Sequence, residues 1–96
     1  MKDYTFNWDI NKNASNTVKH GITFEEATTV FDDDNAIIIK DNTHSQDEER
    51  FSVIGFSKRL RLLIVCHCFR NEDTVIRIIS ARNASKSEEL LYNGAR

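Results

Sequence analysis

The residues that could do chemistry in this 96-residue chain are cations and histidines, concentrated in its second half. Residues 1–49 carry four lysines against eleven carboxylates, a balance of −7, whereas residues 50–96 carry nine lysines and arginines against four carboxylates, a balance of +5. Most of those C-terminal cations are arginines: Arg50, Arg59, Arg61, Arg70, Arg77, Arg82 and Arg96. A planar guanidinium grips a phosphate with two parallel N–H donors, so an arginine cluster suits a phosphate-bearing partner. The competing reading is a set of solvated strand edges, charged to discourage aggregation.

Three positions stand out by context. His67 lies inside the apolar run Leu-Leu-Ile-Val-Cys-His-Cys-Phe, where it is either a core histidine satisfied by hydrogen bonds or a titratable group at a site. Arg77 sits inside Val-Ile-Arg-Ile-Ile, where an unpaired buried guanidinium would be costly, so its strand face should open to water or to a partner. Arg82 ends the same strand. These groups match what metal-free cleavage of an RNA backbone requires. A base takes the 2′-hydroxyl proton, fixed cations stabilise the phosphorane, and an acid protonates the leaving oxygen. The set is adequate for that reaction without being specific to RNA.

Other chemistries lack their residues. Cys66-His67-Cys68 resembles a ligand cluster, but on a strand His67 points away from both sulfurs, and no second cysteine pair completes a zinc set. No metal site is expected. Neither a G-x-S-x-G elbow nor a phosphate-cradling glycine loop occurs, so no cofactor is expected. The two cysteines are too close for ordinary disulfide geometry and read as reduced core thiols. No apolar run approaches a membrane span, and the start MKDYTFNWD has no apolar leader segment, so a soluble cytoplasmic protein without membrane contact is expected.

The elements that must position these groups can be read from capping and periodicity. Asp9 caps a helix over residues 10–20, with Ile10, Ala14 and Val18 as its expected buried stripe and Gly21 as its left-handed stop. Lys12, Asn16 and Lys19, with His20 beside them, form its polar side. Thr23 to Glu26 is a capping box that opens a short helix over 24–31, ended by Asp32, Asp33 and Asp34. Strands follow at 36–39, 50–57, 60–69 and 74–82, with a polar loop at 41–49 and turns at 57–59 and 70–73. Ser85 to Glu88 is a second capping box, opening a C-terminal helix that stops near Gly94. Short turns without a crossover helix predict an antiparallel meander. The expectation is a single α+β domain over 1–96, with two N-terminal helices, a four-stranded antiparallel sheet and a C-terminal helix, the helices on one face.

Register decides which groups meet. Arg77 and Arg82 are five positions apart, so a regular strand puts them on opposite faces unless it is bulged near Ser80. A two-residue turn at Asn71-Glu72 would pair His67 with Ile76 and Arg61 with Arg82, placing His67, Ser80 and Arg82 on one face.

The ordered residues carry a further signal. Phe6-x-Trp8-Asp9-x-x-Lys12-x-x-x-Asn16-x-x-Lys19-His20-Gly21-Ile22-x-Phe24-Glu25-Glu26-Ala27 resembles the opening of the BrnT family of bacterial type II toxins. Asp32-Asp33, His44-Ser45 with Glu48-Glu49-Arg50-Phe51, and Ile76-Arg77-Ile78-Ile79-Ser80-Ala81-Arg82 match in the same order, so the resemblance spans residues 6–85. It implies a fold like the RelE and ParE toxins and a ribonuclease that inhibits translation. It also implies a BrnA-like antitoxin partner with a ribbon-helix-helix DNA-binding end, hence indirect DNA association. Carried over, Arg77 and Arg82 become phosphate-stabilising candidates, with Arg50, Lys19 and His20 lining the same site. His67 joins the catalytic set from its context alone. Trp8 either stacks on a base of the RNA substrate or locks the first helix onto the sheet. The chain departs from the family pattern at Asn83, where a second basic residue is often found. The rival expectations are a non-catalytic RNA- or ribosome-binding module, or an antitoxin-binding partner without nuclease activity.

Overall fold

The structure, a computed structural model, describes residues 4–42 and 48–94. His44 and Ser45 lie outside the described residues. The chain runs β1 (Thr5–Asn7), α1 (Ile10–His20), α2 (Phe24–Thr28) with a 3-10 turn (Thr29–Asp32), β2 (Ile37–Asp41), β3 (Arg50–Phe56), β4 (Leu62–Arg70), β5 (Val75–Asn83) and α3 (Lys86–Gly94). The α+β class and the four expected strands are present, but the sheet has five strands in the order β1-β5-β4-β3-β2 and is mixed. The added strand is Thr5–Asn7, parallel to Val75–Arg77 at one edge. Three residues are too few for a period-2 pattern. Their parallel partner lies at the far end of the chain, joined by everything between them, so local patterning could not reveal the pairing.

Local chemistry explains the helix ends. The Asp9 carboxylate accepts from the N–H groups of Asn11 and Lys12 at 2.8 and 3.2 Å, and Gly21 closes α1 at φ 70° with its N–H on the Thr17 carbonyl. Thr23 Oγ1 accepts from Glu26 N–H, yet Glu26 does not reach back as a capping box would. Its carboxylate instead takes Ser57 Oγ at 2.7 Å and two nitrogens of Arg61, one of them Nε at 2.9 Å, which ties α2 to the β3–β4 turn. At α3 the box is complete: Ser85 N–H donates to Glu88 at 2.7 Å and Glu88 N–H returns to Ser85 Oγ at 3.3 Å.

The expected buried stripe of α1 is reversed. Ile10 is 78 % and Val18 89 % exposed, Ala14 is exposed too, and Asn16 is the buried residue. The cause is β5. Strand β1 covers β5 only as far as Arg77, so the edge groups of Ala81 need other partners. The Asn16 amide supplies both, donating to the Ala81 carbonyl at 2.7 Å and accepting from its N–H at 3.1 Å, and also donates to the Ile22 carbonyl. A side-chain amide completes the sheet edge, and this rotates the apolar positions of α1 to solvent.

The main core lies between one sheet face and the first two helices. It contains Ile22, Phe24, Ala27, Val30 and Phe31 from the helical side, and Val53, Leu63, Val65, Ile76, Ile78 and Ala81 from the sheet. Gly55 is part of this contact: a Cβ there would stand 2.9 Å from Val30 and 3.0 Å from Ala36. The third helix does not join the other two. It crosses the opposite face, where Tyr92 packs edge-on to Phe56 at 5.5 Å and hydrogen-bonds Asp33. Helices therefore sit on both faces, and α3 covers only one end of its side.

The β4–β5 hairpin also departs from the expected register. It closes at Arg70 opposite Val75, with Asn71, Glu72 and Asp73 all at positive φ, rather than through a two-residue turn. His67 therefore pairs with Ile78 instead of Ile76, and Arg82 with Ile64 instead of Arg61. The register slips between Cys66–Ser80 and His67–Ile78, leaving Ile79 as an extra residue on β5.

Candidate functional site

That bulge decides which cations meet. Ile76 and Ile78 face the core before it, and Ala81 faces the core after it. The side chains between them turn the other way, so Arg77 and Arg82 lie on the same open face. A regular strand would have separated them. On neighbouring strands the same face receives Cys66, Cys68 and Arg70 from β4, and Arg50 from β3, whose cross-strand partner is Asp41. The result is a row of four guanidinium groups, Arg50, Arg70, Arg77 and Arg82, the last of them paired with the start of α3.

The four are not equally engaged. Arg82 is fork-paired with Glu88 of α3, both contacts at 2.9 Å, and also donates to the Asn83 carbonyl. Glu88 in turn caps α3, so Arg82 is built into the capping box, and the pairing holds the Glu88 carboxyl below its ordinary range. Among the described residues Arg77 makes one side-chain hydrogen bond, from Nη1 to Asn7 Oδ1 at 3.2 Å. Most of its donors are therefore available on the open face. Arg50 is half-buried, and its Nε has no hydrogen-bond partner among the described residues. Arg70 donates to Glu48 at 3.1 Å and reinforces the acid's ionised form. The sheltered thiols of Cys66 and Cys68 are pushed up by burial and are poor nucleophiles at neutral pH.

The other expected site residues are elsewhere. His67 projects to the core face, fully buried among Phe31, Phe51 and Phe69, with ring centroids at 4.9, 6.1 and 5.4 Å. Its Nδ1 lies 3.2 Å from the Val65 carbonyl, which assigns the proton to that nitrogen and leaves Nε2 as a buried acceptor without a partner among the described residues. Burial favours its neutral form. The sheet itself separates it from the arginine row, so His67, Ser80 and Arg82 do not share a face. Trp8 is half-buried against the core with its ring edge-on to Phe24 at 6.1 Å, which is the helix-locking arrangement. Lys19 and His20 close α1 on the core side of the sheet and make no hydrogen bond or ion pair with the arginines among the described residues. Sequence reasoning passed over Arg70 and Glu48. Arg70 was legible by parity, since Cys66, Cys68 and Arg70 must share a face on a strand.

No group of three or more histidine, cysteine, aspartate or glutamate side chains that could hold a metal occurs among the described residues. No described helix is long and apolar enough to cross a membrane.

Residues 8–88 match the family model described as the ribonuclease toxin, BrnT, of a type II toxin-antitoxin system. The fold is similar to the crystal structure of the Brucella abortus ribonuclease toxin BrnT, with a TM-score of 0.67 and 22 % identity, covering 86 % of this chain and 99 % of that one. No curated protein matches the chain.

Proposed function

Since the chain belongs to the BrnT family of ribonuclease toxins of type II toxin-antitoxin systems, we propose that the open face of its sheet is where RNA is bound and cut. The observation that carries this reading is the β5 bulge, which turns Arg77 and Arg82 to one side and lines them up with Arg50 and Arg70. Fixed guanidinium groups are already oriented when charge develops on the phosphorane, so they stabilise the transition state without reorganising. Arg77, with most donors available, takes the scissile phosphate, and the half-buried Arg50 adds charge beside it. Arg82, fork-paired to Glu88, holds a flanking phosphate. The reaction needs no metal, because these cations supply the charge that a divalent ion would otherwise bring. Loss of cellular RNA in this way inhibits translation.

The partner is an antitoxin, as the family implies, and its BrnA-like form would present an acidic segment to the arginine row while its own ribbon-helix-helix end contacts DNA. Degradation of total RNA by the purified protein, with and without EDTA and with and without co-purified antitoxin, tests the reading. Cleavage that persists in EDTA and stops with antitoxin is expected. Cleavage abolished by EDTA and restored by a divalent ion would remove the metal-free mechanism, and a folded protein that binds RNA without cutting it would leave a binding module.

A further inference from the structure

We propose that Glu48 is the proton acceptor of the strand-cleavage step, taking the proton of the ribose 2′-hydroxyl next to the scissile phosphate. This inference rests on reading the open face as the cleavage site.

The position argues for it first. One oxygen of the carboxylate, Oε1, is anchored: it accepts from Arg70 Nη2 at 3.1 Å and from Cys68 Sγ at 3.4 Å. The other oxygen accepts no hydrogen bond among the described residues. A base must be held by one side and open on the other, and Glu48 is arranged that way. Cys68 is the cross-strand partner of Arg77, so the carboxylate stands beside the arginine assigned to the scissile phosphate. Glu48 also lines a hollow with Tyr4, Phe51 and Phe69, whose phenylalanine rings belong to the core side, so the carboxylate stands at the rim where the two faces meet.

Elimination argues for it second. Of the described histidines, His67 is sealed behind the sheet and His20 lies on α1. Glu88 has both oxygens on Arg82, and Glu49 is paired with Lys40 at 2.6 Å. The Arg70 hydrogen bond keeps Glu48 ionised, its carboxyl below the ordinary value. In the step, the 2′-oxygen passes its proton to Glu48 and forms a bond to phosphorus. The bond from phosphorus to the 5′-oxygen breaks, that oxygen takes a proton from water, and Glu48 returns its proton to solvent. The products are a 2′,3′-cyclic phosphate and a 5′-hydroxyl.

The groups facing Glu48 are Asp41 from β2, Arg50 from β3, Cys66, Cys68 and Arg70 from β4, Arg77 from β5, and Glu49, Asp73 and Tyr4 around the hollow. None is a histidine, and both thiols are pushed up by burial. Single-turnover cleavage of a short end-labelled single-stranded RNA should therefore be flat from about pH 5.5 to 8 for the parent. Glu48→Gln should lower the rate by roughly 10²–10⁴-fold with RNA affinity held within a few-fold. Its residual rate should climb with pH as hydroxide replaces the lost base, and Glu48→Asp should recover part of the loss. A folded Glu48→Gln protein that cleaves within about threefold of the parent overturns the assignment while leaving the cleavage site standing. So does a slowed variant whose pH profile stays flat, which would mean that Glu48 only positions Arg70. A parent that cuts no RNA, or whose rate is indifferent to Arg77, removes the site and the base together.

Discussion

The two faces of this sheet carry similar residues to opposite ends. On the face beneath α1 and α2, polar groups are consumed by the fold: Asn16 completes the edge of β5, Glu26 is locked by Arg61 and Ser57, and His67 is enclosed by phenylalanines. On the other face, which α3 covers only in part, cations keep donors directed outward. The contrast is sharpest between two arginine–glutamate pairs. Arg61 and Glu26 expose 32 and 5 % of their side chains in a structural joint, whereas Arg82 and Glu88 expose 44 and 17 %. An unusual polar residue inside an apolar run marks a site only if its face is open, and parity along the strand decides that.

The largest expected effect lies on the open face. Arg77→Ala should lower RNA cleavage by roughly 10²–10³-fold, the usual loss on removing one transition-state donor, with little change in melting temperature. Arg77→Lys should recover only part, because the fork is lost. Arg82→Ala should cost less, about tenfold, since its donors are largely held by Glu88. Single-turnover rates measured beside thermal melts separate the two. If Arg82→Ala proves the more damaging, the scissile phosphate lies at the α3 end of the row and the roles exchange.

Breaking the other face should affect stability instead of chemistry. Glu26→Gln leaves Arg61 without its charge partner and should destabilise the fold by roughly 2–3 kcal/mol at neutral pH. The Arg61 hydrogen bond lowers the Glu26 carboxyl below its ordinary 4.5. Its contribution is therefore fully present above pH 4.5 and lost as pH falls through the lower folded value. Denaturant unfolding of parent and variant at pH 7 and near pH 3 should give curves whose separation narrows from the first to the second. A gap that does not narrow in acid would mean that packing, and not the ion pair, holds this joint.

How far the sequence reached follows from the same contrast. The helix caps and the strand segments were legible, because each is set by residues within a few positions. Strand β1 was not, because its only partner is some seventy residues away. The α1 stripe was misread because an edge left bare by β1 recruited Asn16, a tertiary demand that helical periodicity does not carry. For the proposed site, Arg50, Arg77 and Arg82 were chosen as residue types in context. Their common face was not, since it depends on Ile79 being an extra residue in β5. His67 was overvalued because a hydrophobic run signals burial without saying which side of the sheet is covered.

The smallest effect is the one that most directly tests the division between faces. His67→Phe should leave RNA cleavage within about twofold of the parent, because no arginine of the open face can reach the ring through the sheet. Its effect on stability depends on pH. Burial holds the His67 pKa below the ordinary 6.5, so the unfolded chain binds a proton that the folded protein refuses. The stability that His67 contributes is intact above pH 6.5 and declines as pH falls toward the folded value, by at most about 1.4 kcal/mol for each pH unit. Phenylalanine cannot bind that proton and removes the unpartnered Nε2, while giving up the Nδ1 bond to Val65. Near pH 7.5 the gain and the loss offset, and the variant should melt within about 5 °C of the parent. Near pH 5.5 it should melt higher than the parent. A His67→Phe protein that is folded, melts in parallel with the parent at both pH values and has lost cleavage would place the histidine in the chemistry and undo the separation of the two faces.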